Sequence, residues 1–477
     1  MHSMRRRTGR QTRGRREELS FTRDDIEALL EAIVKAELFK PMQVAKREVF
    51  RKWGILGTRK DHIFTAIVYK LYALRGTIDR IASKLTGIPL EEFDEDAEMD
   101  PWLRAALRLA VYLRLFDAVK DPRLLRAFEE HAPQLLRERI SSEAERVLRE
   151  LWSKLEGFEW RPESPDEELE YKYRVSAWLI SRIRRILGNE TEEFLKAINE
   201  QPWLGFRVNT LKASVEDVLE ELRKLGLKVR VSPYVPTVIK YKGTVNYDQL
   251  HLLKEGKIIP QDDSSALAAI ILDPKPGERI IDLTAAPGGK TIHLAELSRV
   301  QAEIVALDVF HDRMLRLVEM AKRTGTAAAI HPVLMDARMA PNAFGEEVFD
   351  KALVDPSCSS TGVLGKHPDA RWRLNEKRLC QLVSQQEEIL EAAIRLVKPG
   401  GRILYTVCSI LPEEGEEIIK KVLNKYSNCL RLVPLQGPFD PSPLLPGTMR
   451  AWPHRHGTSG FFYALLEKTR SLKECKD

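Results

Sequence analysis

The sequence lacks the features of several familiar classes of protein. It has no run of 18 or more apolar residues, which argues against a membrane span. Only five of its 477 residues are cysteine, without a C-x-x-C pair, so neither a disulfide scaffold nor a structural zinc site is predicted. Sparse cysteine favours a reducing, intracellular setting, and we expect a cytoplasmic protein. No internal repeat is evident.

Charge of one sign is only in small excess. The net charge is +6 although 31% of the residues are charged, so the balance by itself does not indicate a nucleic-acid partner. The distribution is more informative, because residues 1–16 hold seven arginines and no acidic residue. Such a segment attracts phosphate without sequence preference, but a solubilising tail or a transit peptide has the same composition. We predict that residues 1–19 form a basic flexible tail.

Residues 20–156 are predicted to form an all-α domain. Its clearest helix spans residues 100–116 and opens with Asp-Pro, an N-cap followed by a suitable first helical residue. Arg104 and Arg108 are predicted to lie opposite an apolar face. That face holds Leu103, Ala106, Leu107, Ala110 and Val111. Further amphipathic stretches are found at residues 24–38 and 142–155.

The middle of the chain is predicted to hold a linker and a small α+β module. Residues 157–172 are rich in proline and glutamate, which is typical of a linker. In residues 173–258, a helix at 174–187 precedes two strands, and a second helix lies between those strands. The strands are predicted at residues 206–211 and 228–232, and the second helix at 215–225.

From Asp273 onward, short apolar strands alternate with helices. This order predicts an α/β domain over residues 259–470, built on a doubly wound and largely parallel sheet. Strands are predicted at residues 279–283, 303–307, 348–354, 402–407 and 461–467. Helices are predicted at residues 312–323, 376–397 and 414–425.

A turn rich in small residues, DLTAAPGGKT at residues 282–291, follows the first of these strands. Ligands of open α/β sheets bind beyond the carboxyl ends of the strands, and small residues let a ligand approach the backbone and the N–H groups of the next helix. A plain strand-to-helix turn is one alternative. A P-loop is another, because GKT matches its end, but that motif requires glycine where Thr284 stands, and Pro287 would stiffen the loop.

Carboxylates end the next two apolar segments. Asp308 follows the turn at a spacing that suits a carboxylate gripping ribose hydroxyls, although an aspartate at a strand end also caps helices. Asp336 is placed to reach an adenine amino group, or is a turn residue. No phosphate need be present, so the set fits S-adenosylmethionine as well as NAD.

Two further strand ends carry thiols. VDPSCSSTG, residues 354–362, contains Asp355 and Cys358, and LYTVCSI, residues 404–410, contains Cys408. A lone buried cysteine usually packs as a small hydrophobe, but two beside a nucleoside site favour chemistry. A thiolate that adds to carbon 6 of a pyrimidine makes carbon 5 nucleophilic towards a methyl donor. Asp355 is placed to stabilise the charge on the ring, and the other thiol or a water to help remove the proton at carbon 5.

These blocks resemble the Sun (Nop/Sun) family of RNA cytosine-5 methyltransferases over residues 170–468. The likeness is carried by FRVNTLK (206–212), PQDDSS (260–265), DLTAAPGGKT, and the pair DPSCSSTG and YTVCS. The resemblance implies a class I Rossmann-like methyltransferase sheet, the cofactor S-adenosyl-L-methionine, Cys408 as nucleophile, and Cys358 as the thiol that assists product release. The cofactor contacts that it implies are Thr284, Ala285, Ala286, Pro287, Gly288, Gly289, Lys290, Asp308, Arg313, Asp336 and Asp355.

The sequence departs from the family pattern at Ser357, where proline is usual, and at Thr284, where cysteine is usual. The segment DPWLRAALRLAVYLRLF is similar to the NusB-like RNA-binding domain of bacterial rRNA-modifying members. We therefore expect an RNA partner, with rRNA favoured over tRNA, no metal and no membrane, and a monomer. Alternatives are an inactive RNA-binding assembly factor and a methyltransferase acting on protein or a small molecule. Both leave the two thiols and Asp355 without a clear purpose.

Overall fold

The chain forms two compact units, Met1–Glu167 and Glu168–Asp477. The predicted basic tail lies outside the described residues except for its last residue. No helix in the described part of the chain is long and apolar enough to cross a membrane. The computed structural model describes residues 19–38, 42–90, 99–118, 120–243, 245, 247 and 250–474.

The described part of the first unit consists of helices and turns, as predicted. Asp100 and Asp121 each accept the backbone N–H two residues further on and are each followed by proline, so local sequence begins both helices. The apolar faces meet in one core. The helices are α1 Arg23–Leu38, α2 Met42–Lys52, α3 Arg59–Ala73, α4 Arg75–Thr86, α5 Pro101–Val111, α6 Pro122–Arg139 and α7 Ser142–Lys154.

Helix α5 is buried on both faces, including the side opposite the apolar face on which Arg104 and Arg108 were predicted. Arg104 and Arg108 are only 6% and 0% exposed. Arg108 lies 2.6 Å from Asp79 and 3.1 Å from Glu37, and Glu37 also lies 3.3 Å from Arg104. Paired charges can be buried where single ones cannot. Periodicity did not reveal this because the carboxylates come from other helices. Beyond α5, residues Tyr112–Phe116 continue as a π-helical turn.

The stretch predicted as a linker contains the start of a helix. In α8, Pro165–Tyr173, proline occupies the first turn, and Ser164 accepts the backbone N–H of Glu167 at 3.2 Å. Helices α9 Ala177–Leu187 and α10 Thr191–Ala197 follow. They share a core with Leu364 and Trp452, which belong to later loops of the α/β sheet.

An antiparallel sheet in the order β2-β3-β1-β4 comes next. Strands β3 and β4 were not predicted. Strand β4 is very short, and the alternation of apolar residues and lysines in β3, VIKYK, is a strand pattern that was overlooked. One face of the sheet packs on α11. The elements are β1 Leu204–Val208, α11 Val215–Lys224, β2 Lys228–Val231, β3 Val238–Lys242, α12 His251–Lys254 and β4 Ile258–Pro260.

The remainder forms a larger sheet in the order β11-β12-β13-β9-β8-β5-β6-β7, with β10 paired to β13. Its elements are α13 Asp263–Leu272, β5 Arg279–Asp282, α14 Gly289–Leu297, β6 Glu303–Asp308, α15 His311–Thr324, β7 Ile330–Leu334, α16 Ala340–Phe344, β8 Phe349–Val354, α17 Glu376–Leu396, β9 Val397–Val407, α18 Glu416–Lys425, β10 Leu430–Val433, β11 Asp440–Pro441, β12 Met449–Ala451, α19 Pro453–His456 and β13 Phe461–Lys468.

This sheet confirms the predicted α/β class. Strand β5 pairs in parallel with β6 on one side and β8 on the other, and β9 is parallel to β8, whereas β13 is antiparallel to β9. The strand order therefore reverses at β5, and a crevice is expected beyond its carboxyl end. Strand β7 was not assigned from sequence because it contains Pro332, which an edge strand tolerates.

Candidate active site

The small-residue turn closes the carboxyl end of β5. It is tied to both neighbouring strands, because Leu283 N–H donates to Leu353 at 3.0 Å and Ala285 N–H donates to Leu307 at 2.7 Å. The Ala286–Pro287 peptide bond is cis. Gly288 has φ 113°, and a side chain there would meet Leu317 at 3.0 Å, so glycine is required. The backbone of the turn is therefore held open to a ligand, with the first N–H groups of α14 behind it.

Asp282, at the end of β5, was not predicted as a functional residue. It is buried, and burial raises the pKa of its carboxyl to about 7. It accepts the backbone N–H of Thr284 at 3.2 Å and the hydroxyl of Thr291 at 2.7 Å. Asp282 thus fastens the two ends of the turn to each other.

Asp308 lies beside the turn, at the end of β6. Its carboxylate accepts the backbone N–H of Ala286 at 3.2 Å and that of Phe310 at 2.9 Å. Arg313 donates to the carbonyl of Ala286 and lies 3.6 Å from Asp308. Asp308 does not cap α15, whose N-cap is Phe310 without a side-chain cap, so that alternative is wrong, and the geometry brings Asp308 and Arg313 to the turn.

Asp336 lies beyond the end of β7 and is hydrogen-bonded and ion-paired to Arg338. It accepts the backbone N–H of Arg338 at 3.0 Å and forms a 2.6 Å ion pair with the Arg338 guanidinium. Hydrogen bonding from Arg338 lowers the pKa of Asp336.

Sequence reasoning missed the exposed apolar residues at the same strand ends. They are Val309, Phe310, Leu334 and Met339.

Asp355 and Lys290 form an ion pair where β8 ends against α14. Lys290 Nζ lies 2.6 Å from Asp355 Oδ2, and Asp355 N–H donates to the hydroxyl of Thr284 at 3.1 Å. Burial would lower the pKa of Lys290, but the Asp355 carboxylate outweighs burial and the pKa is raised. Thr284, one of the departures from the family pattern, therefore has a defined role in holding Asp355.

The two thiols meet although they are distant in sequence. Cys358 Sγ and Cys408 Sγ are 3.2 Å apart, and both cysteines are free. The hydrogen bond from Cys358 lowers the pKa of Cys408 despite burial, and Lys290 acts in the same direction. The same hydrogen bond, together with burial, raises the pKa of Cys358. The arrangement favours a thiolate on Cys408 with the shared proton on Cys358.

Glu414, which sequence reasoning missed, connects both thiol loops. It is 0% exposed. Its Oε1 accepts the backbone N–H of Ser359 at 2.8 Å and the side-chain amide of Gln386 at 2.9 Å, and its Oε2 accepts the hydroxyls of Ser359 and Ser409. Ser359 follows Cys358 and Ser409 follows Cys408. The sequence carried no usable signal, because Glu414 stands in the acidic run PEEGEE.

Glycines hold the loop that contains Cys408 close to its neighbouring loops. Gly362 N–H donates to the carbonyl of Cys408 at 3.0 Å, and Gly460 N–H donates to the carbonyl of Gly362 at 2.7 Å. A side chain on Gly362 would overlap the Gly460 carbonyl. The Cys358 loop is also held at Ser357, the other departure, whose carbonyl accepts from Gln386 at 2.9 Å.

The blocks FRVNTLK and PQDDSS join the two sheets of the second unit. Arg207 of β1 is ion-paired with Glu296 of α14, and both are buried. Lys240 of β3 is ion-paired with Asp262, which also lies 2.6 Å from Lys366. These motif residues therefore connect separate structural elements of the second unit. Through Lys366, one of these elements is the loop that follows Cys358.

The remaining cysteines lie outside this cluster. Cys380 is a free, exposed thiol. Cys429 is disulfide-bonded, a bond that the number and spacing of cysteines did not indicate. Within the described ranges no group of side chains has the composition and geometry of a metal site.

Comparisons with known proteins agree with this fold. A family model described as 16S rRNA methyltransferase RsmB/F matches residues 269–467, and one for the ferredoxin-like domain of RsmF/B-like methyltransferases matches residues 175–248. Ribosomal RNA small subunit methyltransferase B of Klebsiella pneumoniae is 34% identical over 305 residues, which are 64% of this chain and 68% of that protein.

Solved structures are similar over most of the chain. The crystal structure of PH0851 superimposes with a TM-score of 0.83 at 45% identity, over 95% of this chain and 100% of that one. A methyltransferase homolog protein from Pyrococcus horikoshii gives a TM-score of 0.57 at 28% identity, over 64% of this chain and 99% of its own. The chain therefore belongs to the RsmB/F family of 16S rRNA methyltransferases, as its Sun-type motifs predicted, and is an S-adenosylmethionine-dependent RNA methyltransferase.

Proposed function

We propose that this enzyme methylates carbon 5 of cytosine in RNA through a covalent adduct between Cys408 and carbon 6. The observation that carries the proposal is the pair of free thiols 3.2 Å apart. Lys290, which is paired with Asp355, is near enough to lower the pKa of Cys408. A methyltransferase acting on a hydroxyl or an amine has no use for adjoining thiols, whereas addition to a pyrimidine ring uses one thiol as nucleophile and a second can assist product release.

The cofactor S-adenosyl-L-methionine, which supplies the methyl group when bound, fits the crevice at β5. The turn from Thr284 to Lys290 presents backbone with small side chains, and the positive φ of Gly288 keeps that backbone clear. Asp308 and Arg313 lie against the turn where ribose hydroxyls would be held. Asp336 and the exposed apolar side chains at the ends of β6 and β7 suit an adenine ring. The proposed contacts are Thr284, Ala285, Ala286, Pro287, Gly288, Gly289, Lys290, Asp308, Arg313, Asp336 and Asp355.

Cys408 is proposed as the nucleophile because the hydrogen bond from Cys358 lowers its pKa, which favours the thiolate on Cys408 over Cys358. It bonds to carbon 6, and the electron pair moves to carbon 5 and the ring, where Asp355 and Lys290 stabilise it. The Asp355 carboxylate can accept a hydrogen bond from the exocyclic amine of cytosine. The neighbouring Lys290 ammonium can donate one to N3. After carbon 5 is methylated, the proton at carbon 5 is taken by Cys358, once it has lost its own proton to solvent, or by a water that Cys358 holds. The carbon–sulfur bond then breaks and returns the thiolate.

The RNA partner is proposed to be rRNA rather than tRNA. Relatives with a third of their residues identical to this chain are named as ribosomal RNA small subunit methyltransferases. The helical first unit is proposed to be the NusB-like RNA-binding domain that the sequence suggested. The target cytosine must leave its stack to reach the thiols, because a base inside a duplex is inaccessible.

The adduct can be tested with 16S rRNA transcribed with 5-fluorocytidine. Fluorine at carbon 5 cannot be removed as a proton, so the adduct should persist and survive a denaturing gel. Cys408→Ala should form neither adduct nor product, whereas Cys358→Ala should accumulate adduct on unmodified rRNA. Cys380→Ala, which removes an exposed free thiol, should behave as wild type. If wild type forms no such complex, the covalent mechanism is wrong, and opposite behaviour of the two thiol variants would exchange their roles.

A further inference from the structure

The sheet formed by β1 to β4 has one apolar and one basic face. Phe206, Ile239 and Tyr241 lie on the apolar face and pack in a core with Leu222 of α11. Because successive side chains alternate between the faces of a strand, their neighbours in β2 and β3 project from the other face. Cations on this second face are Lys228, Arg230, Lys240 and Lys242.

The strand register sets like charges opposite one another. Lys228 is the partner of Lys242, and Arg230 is the partner of Lys240. Lys240 is neutralised by two buried carboxylates that follow β4. In the described part of the chain, no carboxylate lies within ion-pair distance of Lys228, Arg230 or Lys242. Like charges directly opposite destabilise a sheet, so an anion bound across this face would stabilise the arrangement.

Trp203, immediately before β1, orders two of these cations. The Arg230 guanidinium lies 4.3 Å from the centroid of its ring, and the Lys242 ammonium lies 5.2 Å from it. Each such contact stabilises a cation by about 0.5–1 kcal/mol at an exposed site. Lys228 and Arg230 are exposed, whereas Lys242 is half-buried. Positive charge on this face is therefore held in place before any partner binds.

Contacts lead from this face to the candidate nucleophile. Lys240 is paired with Asp262, whose carboxylate accepts the backbone N–H of Ser459 at 3.1 Å. The adjoining Gly460 N–H donates to Gly362 at 2.7 Å, and Gly362 N–H donates to the carbonyl of the nucleophile at 3.0 Å. The basic face and the two thiol loops are thus joined by contacts within the second unit.

We propose that Lys228, Arg230 and Lys242 bind the phosphodiester backbone of the RNA strand next to the target cytosine. This inference rests on the proposed function, since it takes the RNA strand to reach Cys408. A single strand is the expected occupant, because the target base must be unstacked and positively charged grooves follow single-stranded backbones. In this proposal Trp203 orients Arg230 and Lys242.

The test compares RNA binding by the full-length double variant Arg230→Gln/Lys242→Gln with wild type over a range of salt concentrations. The probe is a single-stranded polycytidylate oligonucleotide. Each single-strand phosphate that the protein no longer neutralises makes the slope of log K against log salt less negative by about 0.7, which corresponds to about 5-fold in affinity at 0.1 M salt. The double variant should therefore bind about 25-fold more weakly, with a slope less negative by about 1.4. KM for a 16S rRNA transcript should rise by a similar factor.

The matched control is Arg223→Gln/Lys224→Gln, which removes one arginine and one lysine from α11 on the opposite side of the same sheet. It should bind like wild type. Wild-type affinity in the first variant, or equal weakening in both, would overturn the proposal. Failure of the proposed chemistry would be recognised separately, because the binding measurement requires no turnover.

Discussion

Replacing Glu414 tests whether one buried carboxylate sets the distance between the thiols. Glutamine keeps the shape and one acceptor oxygen, and the serine hydroxyls can turn to accept from its amide. Four charge-assisted hydrogen bonds become neutral ones, a loss of about 1 kcal/mol each, so Glu414→Gln should lower the free energy of unfolding by about 4 kcal/mol. Alanine also leaves the Ser359 N–H and the Gln386 amide unpaired, at about 1–3 kcal/mol for each group.

Glu414→Gln should also slow catalysis. Misplacing reacting groups by about 1 Å can cost about 100-fold in rate, so kcat should fall by about 10- to 100-fold with little change in KM. The pKa of Cys408 is lowered by its hydrogen bond from Cys358, and the Glu414 charge helps to raise the pKa of Cys358. Loosening the pair should raise the pKa of Cys408, so the rate should recover at higher pH.

The measurement is single-turnover methylation of a 16S rRNA transcript as a function of pH, with urea unfolding in parallel. Glu413→Gln provides the control, because it makes the same charge change one residue away, at a partly exposed side chain paired with Arg182. A Glu414→Gln enzyme that is less stable but keeps the wild-type pH midpoint and kcat would refute a positioning role.

Three further changes probe other parts of the molecule. Gly362→Ala should abolish adduct formation with 5-fluorocytidine RNA, since the added methyl overlaps the Gly460 carbonyl; an active variant would show that the Cys408 loop is not held there. Burial raises the pKa of Asp282 to about 7, above its unfolded value of about 3.9, so its contribution to stability is present at acidic pH and lost as pH rises towards 7. Asp282→Asn should flatten that part of the stability curve in urea titrations, and an unchanged slope would contradict the assignment. Arg108→Met leaves buried carboxylates unpaired and should cost about 3–5 kcal/mol in thermal or urea unfolding, whereas a loss below about 1 kcal/mol would mean that the network adds little.

Much of the α/β sheet and its ligand-bearing edge could be predicted because the signals are local. Short apolar strands, a turn of small residues and polar residues at strand ends lie within a few positions of one another, and β5, β6, β8 and β9 each overlap a predicted strand. The same holds for α5, whose start is set by an adjoining Asp-Pro pair. Strand β7 was missed because an edge position tolerates residues that a central strand does not.

Other features could not be predicted because they depend on partners far along the chain. The sequence gives no sign that Arg104 and Arg108 are buried, because their partners Glu37 and Asp79 lie on other helices. Glu414 looks like one acid among several until the fold surrounds it with Ser359, Ser409 and Gln386. A sequence pattern of period 3.6 or 2 reports which face is buried, and carries no information on what pairs across it.

The thiols show the same division. The sequence by itself determined that Cys358 and Cys408 each end a strand of one parallel sheet, beside a small-residue turn, because strand polarity brings such ends to one edge. Only the tertiary structure decided that the two sulfur atoms, 50 residues apart, lie 3.2 Å from each other and share a proton. Glu414, Gly362 and Gly460 hold the two thiol loops through contacts that exist only after the strands have paired and the loops have packed against each other.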